Sequence, residues 1–322
     1  MRVLVAGATG AIGRPLIRGL KQRGHSVFGL VRAAKSPDST RTLTEMGAEA
    51  LIGDALDATS VRAAIARVRA DAVINELTSL PRHYTPTEMK AAAERDARVR
   101  REGNLNLLAG MRESGVRRYV LQSSGFWYAP GPGLADESSL LAVDGSPGVA
   151  AGARNYVALE STAFRVSEID CVAMRYGFFY GPGTWYTNTG DMGEQVRRQQ
   201  VPIIGAGQGV ASFVHIEDAA SATVAALECA PGAYNIVDDD ASQQRVWLPA
   251  FARACGAPEP PQITEQAALA TSGADSVYYA TSLRGASNEK AKHELNFRPR
   301  PLEWMSVPHR VVNDAAADDG QN

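Results

Sequence analysis

The sequence predicts an α/β fold, a doubly wound parallel sheet carrying a smaller region toward its C-terminal end. Three observations predict it. Short apolar runs alternate with longer helix-patterned stretches over the first 176 residues. Those runs are apolar nearly throughout, as parallel strands covered on both faces must be. A glycine-rich turn joins the first run directly to the first helix. At 322 residues the chain suffices for one large domain or two modest ones with a full hydrophobic core.

Taken in order, Arg2–Ala6, Ser26–Val31, Ala50–Ile52, Ala72–Asn75, Tyr119–Ser123 and Cys171–Arg175 read as strands. The first helix sets Ile12, Leu16, Ile17 and Leu20 on one face, with Pro15 in its opening turn and Gly24 as the C-terminal glycine. The longest helix is expected from about Pro86 to Ser114, where Thr85 and Glu88 form a capping box and Gly115 follows the end. Leu134–Arg154, rich in Gly, Ala, Ser and Pro and without a period, reads as a mobile loop. Beyond Gly181 the alternation breaks at Gly181-Pro182-Gly183 and Gly205-Ala206-Gly207. The polar, acidic stretch Asp314–Asn322 reads as a disordered tail.

Composition narrows the function. The net charge of −2 argues against an electrostatic nucleic-acid binder, which carries a basic excess. The three cysteines, Cys171, Cys229 and Cys255, are too few and scattered for a disulfide framework, and no metal site is expected. No apolar stretch approaches the ~20 residues of a membrane span, and the opening run is too short for a signal peptide, so a cytoplasmic protein is expected. The 33 basic residues divide into 28 arginines and five lysines, with none of the lysines between Lys90 and Lys290.

Gly7-Ala8-Thr9-Gly10-Ala11-Ile12-Gly13 leaves the first strand and opens the first helix. A phosphate-binding turn needs this: Gly7 for the tight turn, Gly10 for backbone N–H groups to approach a pyrophosphate, Gly13 for close helix–strand packing. No Gly-Lys-Ser/Thr follows, which excludes a Walker A loop. The second strand ends at Arg32 with no acidic residue until Asp38. An NAD site usually has a carboxylate here for the ribose hydroxyls, whereas an arginine fork suits a 2′-phosphate, so NADP is favoured with NAD possible. This makes the fold Rossmann-type. Residues 1–176, with 210–240 returning to them, are expected to bind the dinucleotide, and 177–209 with 241–313 to bind substrate.

With these residues in view, the chain resembles the extended branch of the short-chain dehydrogenase/reductase superfamily, the NAD-dependent epimerase/dehydratase-like proteins. The matching segments are the Gly7–Gly13 loop, Gly53-Asp54, Gln122-Ser123-Ser124 with Tyr128, and Arg175 to Gly183. Phe213 to Ala220, Tyr234 to Asp238 and Ser287 to Ala291 match as well. The resemblance implies cofactor contacts from Gly7, Thr9, Gly10, Ala11, Ile12, Gly13, Arg32, Asp54, Ala55, Leu77, Ser123, Tyr176 and Phe178. It also implies a catalytic Ser124 and a Tyr-x-x-x-Lys pair in which the lysine lowers the tyrosine pKa.

That pair is missing: no tyrosine here has a lysine four residues later. In one register Tyr156 is the family tyrosine and Glu160 takes the lysine position. In the other, favoured by the distance from Glu160 to Arg175, Gly152 replaces the tyrosine and Tyr156 the lysine. Tyr156 is the best surviving proton donor, with a pKa expected near the ordinary ~10 for want of a neighbouring cation. Arg100 stands where the family has an Asn. Phe126, Trp127, Tyr128, Phe178, Phe179, Trp185 and Tyr186 follow strands and suit an apolar or aromatic substrate pocket, or packing between the two regions. Glu76, His83 and Tyr84 are further acid/base candidates, and His215 reads as structural. The expected function is an NADPH-dependent oxidoreductase acting on a small apolar or aromatic carbonyl, alcohol or activated alkene. The alternatives are an epimerase, dehydratase or isomerase retaining its cofactor, and a non-catalytic NADP(H) sensor. By analogy the Pro86–Ser114 helix would pair two copies as a homodimer.

Overall fold

The computed structural model describes residues 1–32, 36–81 and 83–306; the tail expected over 314–322 lies outside them. The first strands and helices alternate in strict order: β1 (Arg2–Ala6), α1 (Gly13–Gln22), β2 (Ser26–Val31), α2 (Ser36–Glu45), β3 (Glu49–Ile52), α3 (Ala58–Val68), β4 (Ala72–Asn75), α4 (Pro86–Glu113), β5 (Arg118–Ser124), α5 (Pro147–Phe164) and β6 (Asp170–Tyr176). Then follow β7 (Phe178–Tyr180), α6 (Asp191–Arg197), β8 (Ile203–Ile204), β9 (Val210–Ala211), β10 (Phe213–His215), α7 (Ile216–Ala225) and β11 (Gly232–Ile236). The last elements are β12 (Ser242–Gln243), α8 (Gln244–Ala254), β13 (Gln262–Ile263), α9 (Glu265–Thr281, broken at Gly273) and α10 (Glu289–Glu294).

The central sheet has the order β11-β6-β5-β4-β1-β2-β3 and every pairing in it is parallel. The chain winds outward from β1 in one direction and from β4 in the other, so the crevice between these strands opens at their C-terminal ends, where α/β sheets bind ligands. One face of the sheet carries Leu16, Ile17 and Leu20 of α1 with Ala219, Ala220 and Val224 of α7. The other carries Val61 and Ile65 of α3, Leu107 and Met111 of α4, and Ala153 and Leu159 of α5. Burial on both faces explains why the six expected strands read as continuous apolar runs. A third core of Tyr186, Phe213, Trp247, Phe251 and Trp304 lies outside that sheet.

Helix boundaries follow local chemistry. Thr85 caps α4 by accepting the Glu88 N–H at 3.2 Å, and Gly24 turns the chain out of α1 toward β2 with φ +76°. The expected loop at Leu134–Arg154 is corrected: its second half is the first two turns of α5. Its helix signal was hidden because small residues face the core, and because its cap is distant in sequence. Asp275 on α9 accepts the Gly148 N–H at 2.9 Å and the Ser146 hydroxyl at 2.6 Å. The first half is ordered as well, with Ala135 bridging Ala286 and Leu141 bridging Tyr128.

Candidate functional site

The glycine turn at the end of β1 leaves no room for side chains beneath it. A Cβ on Gly7, which has φ +89°, would stand 2.3 Å from the Glu76 carbonyl oxygen, and one on Gly13 would stand 2.3 Å from that of Ala8. Thr9, Gly10 and Ala11 are exposed, while Ile12 is buried. Helix α1 opens with neither a side-chain cap nor an acidic residue in its first turn, so its N–H groups and the positive end of its dipole remain for an anion. These residues fit a dinucleotide pyrophosphate. Arg32 is exposed just past β2. After β3, Asp54 turns its own backbone by accepting the Leu56 N–H at 2.9 Å, and the Ala55 carbonyl accepts Asn106 at 2.8 Å.

At the end of β4, Asn75 donates to the Tyr119 hydroxyl at 2.7 Å, accepts the Leu77 N–H at 3.1 Å, and so shapes the strand exit. Glu76 is buried, and burial pushes its carboxyl up to about 8. Thr223 donates to the Ala219 carbonyl at 2.7 Å, and the Tyr176 hydroxyl lies 2.6 Å from Thr223 and 2.9 Å from Glu76 Oε1. The Tyr176 hydroxyl donates to Glu76 Oε1, which favours the charged carboxylate, but burial outweighs it and holds the carboxyl up. Glu76 is therefore no base at neutral pH. Tyr176 turns its ring into the helix-covered core, so toward a cofactor it offers backbone only.

Strand β5 ends in Ser123 and Ser124, both buried. Ser123 gives its hydroxyl proton to Glu160 at 2.5 Å, and Glu160 receives a two-pronged ion pair from Arg175 at 2.8 and 2.6 Å. Arg175 also donates to the Tyr128 hydroxyl at 2.9 Å, and Tyr128 donates to Asn235 at 2.5 Å. Ser123 and Tyr128 thus belong to a buried polar network joining α5, β6 and β11. Ser124 accepts only the Phe126 N–H, at 3.5 Å, leaving its hydroxyl for a ligand. The network locks α5 in place by holding Glu160 against Arg175.

The expectation that Tyr156 lacks a neighbouring cation is corrected. Arg100 on α4 is buried, with its guanidinium 5.2 Å from the Tyr156 ring centre, held by Asp96 at 2.7 Å and Gln122 at 2.8 Å. Sequence spacing could not find this pair, because the two groups sit on different helices. Burial still outweighs the cation and raises the Tyr156 pKa above its ordinary value. Its phenol stays protonated and takes no hydrogen bond from the described residues.

At Gly152 the structure leaves no room for a side chain. A Cβ would lie 2.1 and 2.3 Å from ring atoms of Trp127. The indole N–H donates to Tyr279 at 2.8 Å. Phe126 meets Trp127 edge-on at 5.0 Å and stacks on Phe178 at 4.3 Å, while Tyr84 stacks on Trp185 at 4.7 Å. The aromatic candidates therefore divide. Phe126, Trp127, Phe178 and Trp185 are partly exposed; Tyr128 and Tyr186 are buried and Phe179 packs on the sheet core. His83 is exposed and paired with Asp191 at 3.2 Å, and His215 caps α7 by accepting the Glu217 N–H at 3.2 Å, a structural role. No group of metal-ligating side chains occurs among the described residues, nor any helix long and apolar enough to cross a membrane.

Comparison with known proteins adds to this geometry. A family model described as the NAD dependent epimerase/dehydratase family matches residues 3–237. The chain is 38% identical over 308 residues to a 3-diazoavenalumate denitrifying reductase from Streptomyces sp, covering 94% of this chain and 98% of that protein. Among solved structures, it resembles UDP-glucose 4-epimerase from Thermotoga maritima in complex with UDP-glucose, at TM-score 0.72 and 20% identity, covering 95% and 96% of the two chains. The Thermus thermophilus UDP-glucose 4-epimerase with NAD aligns at TM-score 0.68 and 24% identity, covering 95% and 96%.

Proposed function

Because the chain belongs to the NAD dependent epimerase/dehydratase family and is an NAD(P)-dependent enzyme with a nicotinamide cofactor, we propose that it is an NADPH-dependent reductase of an electron-poor aromatic compound, of which a diazo-arene is the type. The observation that carries this is the site's lack of a tuned proton donor. No tyrosine has a lysine four residues on, Gly152 leaves no room for a side chain, Tyr156 is held protonated by burial, and burial lifts the Glu76 carboxyl beneath the glycine turn to about 8.

A bound nicotinamide supplies hydride, and the protein must place it and the acceptor. For a carbonyl, the alkoxide formed has to be protonated; for an epimerase, a hydroxyl proton must be removed and returned. Both need the missing pair. Reductive loss of a diazonium group does not. The C–N bond breaks with its electrons leaving on dinitrogen, the C–H bond forms from the hydride pair, and no proton is exchanged. That change fits the name of the 38% identical relative. In this reading the exposed glycine turn and the N-terminus of α1 hold the pyrophosphate, and Arg32 pairs with the 2′-phosphate. Ser124 and the Tyr156–Arg100 pair orient ligands at the strand ends, and the partly exposed aromatic side chains receive the ring.

The test is NADPH oxidation at 340 nm, the absorbance band of the reduced nicotinamide, against a panel of diazo-arenes, with dinitrogen measured in parallel, beside ketones and quinones. Equal release of dinitrogen and oxidised cofactor on diazo-arenes is expected. Turnover of the ketones alone would overturn the reading.

A further inference from the structure

Trp127 packs against the core on the α3, α4 and α5 side of the sheet and is held there by specific contacts. Its indole is fixed from three directions. Gly152 on α5 removes the side chain that would occupy the ring's position, since a Cβ there would lie 2.1 Å from it. Tyr279 on α9 accepts the indole N–H at 2.8 Å, from 152 residues away in sequence. Phe126 packs edge-on at 5.0 Å and the Tyr156 ring lies 5.7 Å away. The side chain nevertheless stays partly exposed, next to Ser124 in sequence space and beyond the C-terminal end of β5.

A rigid indole whose only polar atom is already satisfied offers a ligand a π face and little else. We propose that Trp127 is the specificity-determining residue of this site, an aromatic wall seated in the space vacated at Gly152, which selects a flat aromatic ring as substrate and keeps a proton donor out of that position. The proposal rests on the reductase reading above and deepens it. It accounts for the glycine at 152 and the tryptophan at 127 as one packed unit. Volume given up by the helix is taken by the ring.

The geometry also assigns Tyr279 a supporting part. Its hydroxyl fixes the rotation of the indole about its side-chain bonds, and Phe178 stacks on Phe126 at 4.3 Å with 18° between planes, so the wall continues from the β5 loop to β7. The occupant is thus a planar, conjugated ring.

The experiment titrates 4-hydroxycinnamate, a flat aromatic acid that cannot be denitrified, into the NADPH-loaded protein by calorimetry. The variants are Trp127→Leu, Trp127→Phe, Gly152→Ala and Tyr279→Phe, each with its NADPH affinity measured. Losing one aromatic face weakens such stacking about tenfold. Trp127→Leu and Gly152→Ala, the latter by displacing the ring, are expected to weaken the probe by about tenfold, with Trp127→Phe within about threefold. NADPH affinity is expected to stay near that of the parent in all four. Probe affinity within about twofold of the parent in Trp127→Leu, or no probe binding by the parent, overturns the proposal. If Trp127→Leu and Gly152→Ala lose NADPH binding through misfolding, Tyr279→Phe decides, since it removes one hydroxyl. Weaker probe binding then supports the wall and unchanged binding overturns it. Probe binding needs no turnover, so a protein that binds the probe through Trp127 yet releases no dinitrogen refutes the reaction and leaves the wall standing.

Discussion

Glu76→Gln is expected to make the protein more stable above neutral pH and to do so by an amount that grows with pH. In the folded protein the carboxyl is buried beneath the glycine turn, Oε2 has no partner, and burial lifts its pKa to about 8 from an ordinary 4.5. Between those values the folded state holds a proton that the unfolded chain has released. Stability is therefore fully present below the unfolded pKa and is lost as pH rises toward about 8. Each pH unit in that window removes roughly 1 kcal/mol, so about 2–3 kcal/mol between about pH 5.5 and about pH 7.5. Glutamine has no proton to lose, and its carbonyl oxygen can accept from Tyr176 as the carboxyl does. Asp238, which burial also lifts to about 8, is common to both proteins and cancels in the difference. Urea unfolding of parent and variant at the two pH values measures it. A stability difference that does not change with pH, or one that shrinks as pH rises, would refute the neutral carboxyl.

Arg175→Met leaves Glu160 charged and buried without its two-pronged partner, and a loss of about 3–5 kcal/mol is expected in the same urea assay. Arg32→Ala is expected to weaken NADPH about tenfold or more and to leave NADH unchanged, measured by cofactor fluorescence, if the guanidinium pairs with the 2′-phosphate. Gly7→Ala forces a Cβ to 2.3 Å from the Glu76 carbonyl at a φ of +89°; loss of dinucleotide binding is expected by calorimetry. Leu105 on α4 and Val157 and Phe164 on α5 are exposed although apolar, on two helices that pack together. If they pair two copies, Val157→Glu with Phe164→Glu is expected to convert a dimer to a monomer in sedimentation equilibrium, and an unchanged mass would exclude that face.

Much of the fold was legible because the physics is local. β1, β2 and β4 start and stop where their apolar runs do, since both faces are covered, and α4 begins at the Thr85 cap that the sequence displays. What was hidden depends on distance. α5 starts at Pro147 because Asp275, on another helix, satisfies its first N–H groups. Its glycines looked like loop residues but are small because Trp127 and Asp275 press on them. The cofactor turn could be read from spacing, whereas the cation beside Tyr156 could not, because Arg100 arrives from α4. The missing lysine was a sequence fact; the indole that packs against Gly152 was a fact of packing. Ser123 and Tyr176 illustrate the same limit. Both lie at strand ends, and which way each side chain turns is set by the partners it meets, Glu160 for one and Thr223 for the other.

The claim that hydride reaches an aromatic carbon with no proton from the protein is tested most directly by isotope placement. A diazo-arene is reduced once with 4-deuterated NADPH in ordinary water and once with ordinary NADPH in deuterium oxide, and the product ring is read by mass spectrometry and NMR. One deuterium at the former diazo carbon in the first experiment and none at carbon in the second is the expected result, unchanged in Tyr156→Phe. Solvent deuterium on that carbon, or product lacking the cofactor's deuterium, would contradict the account.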